Sequence, residues 1–129
     1  MVTHYIDVPH QKWGIVIICD FDTKTDYTDI SAILKSFGMR RNRIGYAISV
    51  LSTPNSGLTV SNDDLRMSAV FIGNTTSYGQ FWNTIAHELK HVSDAIIDYY
   101  GEAWDGEPAA YLTGYLFQEI VEEIAEPCF

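Results

Sequence analysis

One long amphipathic segment limits the folds open to this chain more than any other feature. Its apolar residues recur at steps of three and four, which is the spacing of one face of an α-helix; they are Phe81, Ile85, Leu89, Val92 and Ile96. Thr75, Thr76 or Ser77 can cap its start, and Gly101 can end it. We therefore predict a long helix that runs to about Tyr100.

The sequence before this helix predicts two strands and a shorter helix. Trp13–Cys19 is apolar and rich in β-branched residues, which indicates a buried strand. Asp26 or Thr28 can begin a helix that ends at Gly38; its apolar positions are Ile30, Ile33, Leu34 and Phe37. Residues 43–51 alternate, which predicts a second strand; the alternating residues are Ile44, Tyr46, Ile48 and Val50.

Further elements lie on both sides of the long helix. Residues 58–60 are predicted as a short strand and residues 66–72 as another strand. Pro108 favours the first turn of a final helix, which begins at Glu107 and runs to about Ala125. Strands and one helix followed by two helices indicate an α+β fold with a short mixed sheet.

Length and composition favour one domain, residues 1–129. Hydrophobic residues make up 47% of the chain and aromatic residues 13%, enough to bury a core. The net charge is −9, and the basic residues are spread thinly apart from Arg40, Arg41 and Arg43. Because so acidic a chain would be repelled by phosphate groups, we expect it to bind neither nucleic acid nor an anionic membrane. A monomer or a small homo-oligomer is expected.

Cysteine content and the N-terminal segment favour a cytoplasmic protein. Cys19 ends an apolar run and is interpreted as a buried thiol, although a disulfide with Cys128 is possible. Residues 1–10 lack the basic and apolar regions of a signal peptide. The longest apolar run, residues 15–19, is too short to span a bilayer.

The long predicted helix contains the sequence H-E-x-x-H, in which His87 and His91 are the histidines. Positions i and i+4 lie on the same face of a helix, so both imidazoles can reach one metal ion. Glu88 lies beside them and can act as a general base toward a water. This spacing predicts a Zn²⁺ site for the hydrolysis of peptide bonds.

A catalytic zinc site needs a third protein ligand. Glu107 is the first candidate, because a chain that reverses after Gly101 would bring the first turn of the next helix against the histidines. Glu102 and Asp105, in the connecting loop, are fallback ligands.

Two other acidic residues lie further along the helix that carries the histidines. Asp94 is on their face and competes with Glu107. It would have to reach back a full turn, so we expect it instead to accept a hydrogen bond from a ligand imidazole. Asp98, one turn further, is a weaker candidate for the same role.

The pattern of residues 87–115 resembles the zincin metallopeptidases, and specifically the gluzincins, in which a Glu on the following helix completes the H-E-x-x-H site. The small size of the chain resembles the single-domain minigluzincins. The resemblance implies a zincin-like fold, Glu107 as the third ligand, and a peptide or protein substrate that pairs with an edge strand in the sheet before the helix. Residues 66–72 occupy that place in the sequence. Thermolysin-like members have an Asp where this chain has Tyr111.

The resemblance also implies a hydrogen-bond donor for the oxyanion of the tetrahedral intermediate, often a Tyr or a His. Tyr111 is the first candidate because it lies one helical turn after Glu107. Other tyrosines compete for the role; they are Tyr78, Tyr100 and Tyr115.

Two alternatives belong to other functional classes. Asp20 and Asp22 follow an apolar strand in a D-x-D-T pattern that is similar to the start of haloacid-dehalogenase-type phosphatases, although a solvated loop explains it more simply. A non-catalytic protein-interaction module on a zincin scaffold is the second alternative. Replacing Glu88 by Gln would separate it from a peptidase, because only a peptidase would lose turnover.

Overall fold

The computed structural model describes residues 1–102 and 106–124. Within these ranges a mixed sheet of four strands is covered by helices on both faces. The strands are β1 (Val2–Val8), β2 (Trp13–Cys19), β3 (Gly57–Asn62) and β4 (Met67–Ile72). The α-helices are α1 (Tyr27–Ser36), α2 (Arg41–Leu51), α3 (Tyr78–Tyr100) and α4 (Glu107–Glu119), and a π-helical turn, Ile120–Ile124, continues α4.

The strand order across the sheet is β1-β2-β4-β3. The central strands β2 and β4 are parallel, with Ile15 opposite Ser68 and Ile17 opposite Val70. The two outer strands are antiparallel to their neighbours. Because β2 and β4 are covered on both faces, their side chains are almost all buried. In this strand order, β1 and β3 are the two edges of the sheet.

Alternate side chains of the sheet enter two separate hydrophobic cores. Those on one face pack against α3 and α4; the buried residues there include Trp13, Ile15, Ile17, Val70, Phe81, Leu89 and Leu116. Those on the other face pack against α1 and α2; these include Ile18, Ile30, Leu34, Ile48 and Phe71. The site described below lies on the side of α3 and α4.

The ends of α3 agree with the prediction. Ser77 is the N-cap, and its hydroxyl oxygen accepts a hydrogen bond of 3.1 Å from the backbone N–H of Gln80. Gly101 ends the helix in the left-handed region at φ 69°, where a residue without Cβ is favoured. The strand Trp13–Cys19 is also confirmed. The helix predicted before Gly38 is present as α1, which ends at Ser36, and Gly38 lies just beyond its C-cap at φ 94°.

The prediction of a strand over residues 43–51 is wrong, because this segment lies in α2. Its buried residues have the spacing of a helix face; they are Ile44, Ala47, Ile48 and Leu51. Tyr46, one of the alternating residues, is 77% exposed. Ile44 and Ile48, four residues apart, fit both the two-residue period of a strand and the 3.6-residue period of a helix. Burial against α1 and the sheet favours the helix.

Three further corrections concern the sheet and Cys19. β1 was not predicted, and it forms one edge. The strand predicted at residues 66–72 is present as β4, but it is internal, so it is not the edge strand. Cys19 is buried, but it is in a disulfide rather than a thiol. Cys128 lies outside the described residues.

The predicted α+β class and mixed sheet are confirmed. The described residues form four strands, which pair both parallel and antiparallel, and four α-helices. The final helix begins at Glu107 as predicted. Its expected end, Ala125, lies outside the described residues. Among the helices of residues 1–102 and 106–124, none has the length and apolar character needed to cross a bilayer.

Candidate metal centre

His87 and His91 lie one helical turn apart on the exposed side of α3, and their ring nitrogens face each other. The two Nε2 atoms are 3.2 Å apart. The ring centroids are 4.9 Å apart and the planes are inclined by 75°. Two imidazole nitrogens bound to one tetrahedral zinc, each at 2.0–2.1 Å, would be about 3.3 Å apart. In the structure this distance is a hydrogen bond between the two rings, and it is also close to the separation that one shared zinc ion would require.

Glu88 points away from the exposed side of the helix. Its side chain is almost completely buried, at 5% exposure, whereas that of His87 is 68% exposed. Thr59 on β3 donates a hydrogen bond of 2.9 Å from Oγ1 to Oε1 of the carboxylate, and the same hydroxyl lies 3.3 Å from the Glu88 carbonyl oxygen. The second carboxylate oxygen, Oε2, lies 3.8 Å from Nε2 of His87. One oxygen is thus held by β3, and the other is directed toward the histidines.

The close approach of β3 to α3 depends on Gly57. A Cβ atom at this position would lie 2.8 Å from Cγ of Glu88 and 3.0 Å from its Oε2. Contacts this short are sterically forbidden, so a larger residue would displace either the strand or the carboxylate. Gly57 and Thr59 are functional candidates that the sequence did not reveal, because both lie far from Glu88 along the chain; Thr59 is 29 residues away.

The structure brings His87, Glu88 and His91 together but adds no third ligand to them. Within residues 1–102 and 106–124, no three His, Cys, Asp or Glu side chains form a group that could hold a metal ion. Glu107 begins α4 as expected and is exposed. Glu102 is also exposed.

Asp94 and Asp98, the other acidic candidates on α3, lie beyond His91 toward the end of the helix. Asp94 forms an ion pair with Lys90 across one helical turn, at 2.5 Å between Oδ1 and Nζ. Asp98 is exposed one turn further. The fallback ligand Asp105 lies outside the described residues.

Comparisons with models of protein families, with curated proteins and with solved structures give no match. The site is therefore interpreted from its own geometry.

The tyrosines proposed as oxyanion donors are dispersed. Tyr111 is 76% exposed on α4 and Tyr78 is 56% exposed at the start of α3. Tyr100 donates a hydrogen bond to the carbonyl oxygen of Gln11. Tyr115 donates one of 3.0 Å to the carbonyl oxygen of Asp7. The hydroxyls of Tyr100 and Tyr115 thus connect helices to the β1–β2 region, which leaves Tyr111 and Tyr78 with exposed rings.

Asp20 and Asp22 form the connection between β2 and α1. Oδ1 of Asp22 accepts hydrogen bonds from the backbone N–H groups of Lys24 and Thr25, at 2.8 and 3.0 Å. These hydrogen bonds lower the pKa of the Asp22 carboxyl below its usual value. Because the Asp22 carboxylate holds a turn, the geometry favours a solvated loop at this position. Asp20, which would be the nucleophile in the phosphatase-like pattern, is exposed and has a φ of 52°.

Proposed function

We propose that this chain is a zinc-dependent metallopeptidase that hydrolyses peptide bonds. One observation carries the proposal. The His87 and His91 nitrogens are 3.2 Å apart, and Oε2 of the buried Glu88 carboxylate lies 3.8 Å from Nε2 of His87. Two imidazoles that can share a metal ion, beside a carboxylate that can act as a base, are part of what metal-assisted hydrolysis uses.

The roles of the residues follow from their positions. His87 and His91 would hold zinc, and a bound zinc ion would supply the Lewis acidity that brings the pKa of a water close to neutrality. Glu88 would be the base at this site, with Oε2 positioned to take a proton from a water and to return it to the leaving amine. Thr59 holds Oε1, so that Oε2 is the oxygen free to exchange the proton. Glu107 as the third ligand and Tyr111 as the oxyanion donor remain predictions, as does Asp94 as a partner of a ligand imidazole.

The substrate is proposed to be a peptide or a protein bound along β3. The zincin resemblance implies pairing with an edge strand, and β3 is the edge strand that contacts Glu88. A zincin-like single domain, a monomer or small homo-oligomer, and no binding to nucleic acid or membranes are retained as proposals. A cytoplasmic location is also retained, and it requires Cys19 to be reduced there, because disulfides are rare in that compartment.

Metal analysis of purified protein tests the proposed ligands. Wild-type protein dialysed against zinc is expected to retain about one zinc per chain. His87→Ala should lose it, because one remaining imidazole cannot hold the ion. His10→Ala is the matched control, since His10 is an exposed histidine in the β1–β2 turn. Wild-type protein that retains no more zinc than His87→Ala would contradict the metal site.

Hydrolysis of fluorescein-labelled casein tests the catalytic part of the same proposal. Glu88→Gln should lower kcat by about 10²–10⁴-fold and leave the zinc content unchanged, because the amide cannot accept the proton. Glu122→Gln, an exposed position in the π-helical turn, is the control. Zinc binding without hydrolysis by wild-type protein would favour the non-catalytic interaction module.

A further inference from the structure

A groove of about 900 Å³ lies on the face of β3 opposite Glu88. It runs between the end of α1, one side of α2 along most of its length, and β3. Its floor is apolar and is formed by Phe37, Met39, Ala47, Val50, Leu58 and Val60. Arg40 and Arg43 stand at its rim, beside the ring of Tyr46, which is 77% exposed.

The two arginines give this groove a charge opposite to that of the whole chain. The chain has 17 acidic and 8 basic residues, yet no Asp or Glu lines the groove. Arg40 and Arg43 are both exposed, and no carboxylate of the described residues forms a salt bridge with either. Exposed guanidinium groups above an apolar floor suit an acidic ligand that also has apolar side chains.

The groove is connected to the candidate metal centre through β3. Successive side chains of a strand point to opposite faces, so Leu58 and Val60 face the groove while Thr59 contacts Glu88. β3 has no charged residue and no proline, which are the features that usually protect an edge strand from pairing. A peptide paired with β3 would direct alternate side chains over the groove and the others toward α3.

The overall charge of −9 alone would favour basic or uncharged peptides. Screening limits this effect, because at physiological ionic strength exposed charges act over about 8 Å. Arg40 and Arg43 are the charged residues that line the groove, whereas Asp63 and Asp64 follow Ser61 beyond the end of β3 and do not line it. The charges that a ligand in the groove would contact directly are therefore positive, although the whole chain is acidic.

We propose that the groove beside β3 selects extended peptides with Asp or Glu side chains, which Arg40 and Arg43 bind. As a statement about substrates, this rests on the proposed peptidase function, and it makes acidic peptides the substrate class. As a statement about binding, it needs neither zinc nor hydrolysis. Its experiment can therefore fail or succeed independently of the peptidase proposal.

A random pool of short unstructured peptides is passed over immobilised Glu88→Gln protein, which cannot cleave them, and the retained peptides are sequenced by mass spectrometry. Asp and Glu should be enriched about tenfold over the input at alternate positions, because a guanidinium–carboxylate contact has about this effect on affinity. The variant Arg40→Glu with Arg43→Glu should lose this enrichment and favour Lys and Arg.

The matched control is Lys35→Glu with Arg41→Glu. It makes the same change in net charge on the neighbouring turns of α1 and α2, but neither residue lines the groove. This control should enrich Asp and Glu as strongly as the Glu88→Gln protein without the two further substitutions does. Equal loss in both double variants, or no enrichment of acidic residues, would overturn the proposal. Acidic enrichment in a protein that takes up no zinc would support the groove and reject the peptidase.

Discussion

Glu88 is the only acidic or basic residue that is buried in the described part of the chain. A buried carboxylate is costly unless hydrogen bonds replace its hydration, and here the hydroxyl of Thr59 supplies one of them. Gly57 leaves the space in which the carboxylate lies. A costly carboxylate placed against two alternate positions of one strand is typical of a functional residue rather than of a packing residue.

Thr59→Val tests whether the hydroxyl positions this carboxylate. The substitution keeps the shape of the side chain and removes the donor to Oε1, so we expect kcat to fall about tenfold with little change in KM or zinc content. Steady-state kinetics with a peptide substrate gives the two parameters. Thr59→Ser, which restores the hydroxyl, should recover most of kcat. If valine left kcat unchanged, the hydrogen bond would have only a structural role.

Among the elements, α3 has two functions at once. Its inner face, which includes Phe81, Ile85 and Leu89, packs against the sheet, and its outer face carries His87 and His91. The spacing of the two histidines is a property of the helix alone. Their position relative to Glu88 and β3 depends on how the inner face is packed.

Loss of the N-cap should weaken α3. Ser77→Ala removes the acceptor for the backbone N–H of Gln80, and the free energy of unfolding should fall by about 1 kcal/mol. Urea denaturation followed by circular dichroism measures it. Thr75→Ala, a nearby position that does not cap the helix, is the control. A similar loss in both variants would mean that the cap contributes nothing specific.

The elements also show what the sequence could predict. α3 and β2 were predicted correctly because each has a single apolar period and clear end signals. α2 was not, because Ile44 and Ile48 fit two periods and only the docking against α1 and the sheet distinguishes them. β1 was missed because His4 interrupts the apolar alternation of its inward side, and pairing with β2 makes it a strand. The histidine pair was evident from local spacing, whereas Thr59 and Gly57 approach Glu88 only through long-range packing.

At the scale of the whole molecule, Tyr115 joins the last helix to the first strand. Its hydroxyl donates a hydrogen bond to the Asp7 carbonyl oxygen, 108 residues earlier in the chain. Burial, together with the carboxylates of Glu119 and Asp7, raises the pKa of this phenol above its usual value. The folded state therefore binds the phenolic proton more tightly than the unfolded state does.

This raised pKa has a consequence for stability at high pH. The contribution of Tyr115 is complete below about pH 10, the usual pKa of a tyrosine, and is lost as the pH rises through the pKa in the folded state. Tyr115→Phe should lower the free energy of unfolding at neutral pH by about 0.5–1 kcal/mol, through the lost hydrogen bond. The substitution should also reduce the fall in the free energy of unfolding that wild-type protein shows above pH 10.

Urea denaturation over a range of pH values would measure both effects. Tyr111→Phe is the matched control, since Tyr111 lies on the same helix and is 76% exposed. If the two variants had identical pH profiles, Tyr115 would have no special part in the decline.

Because α3 both completes the core and carries the two imidazoles, the histidine pair exists only in the folded domain. In an unfolded chain the rings would lie on a flexible segment and meet rarely. Zinc uptake would then report the fraction of molecules that are folded. By mass action, free zinc above its dissociation constant would raise the midpoint of thermal unfolding, so a melting curve can detect the metal without any substrate.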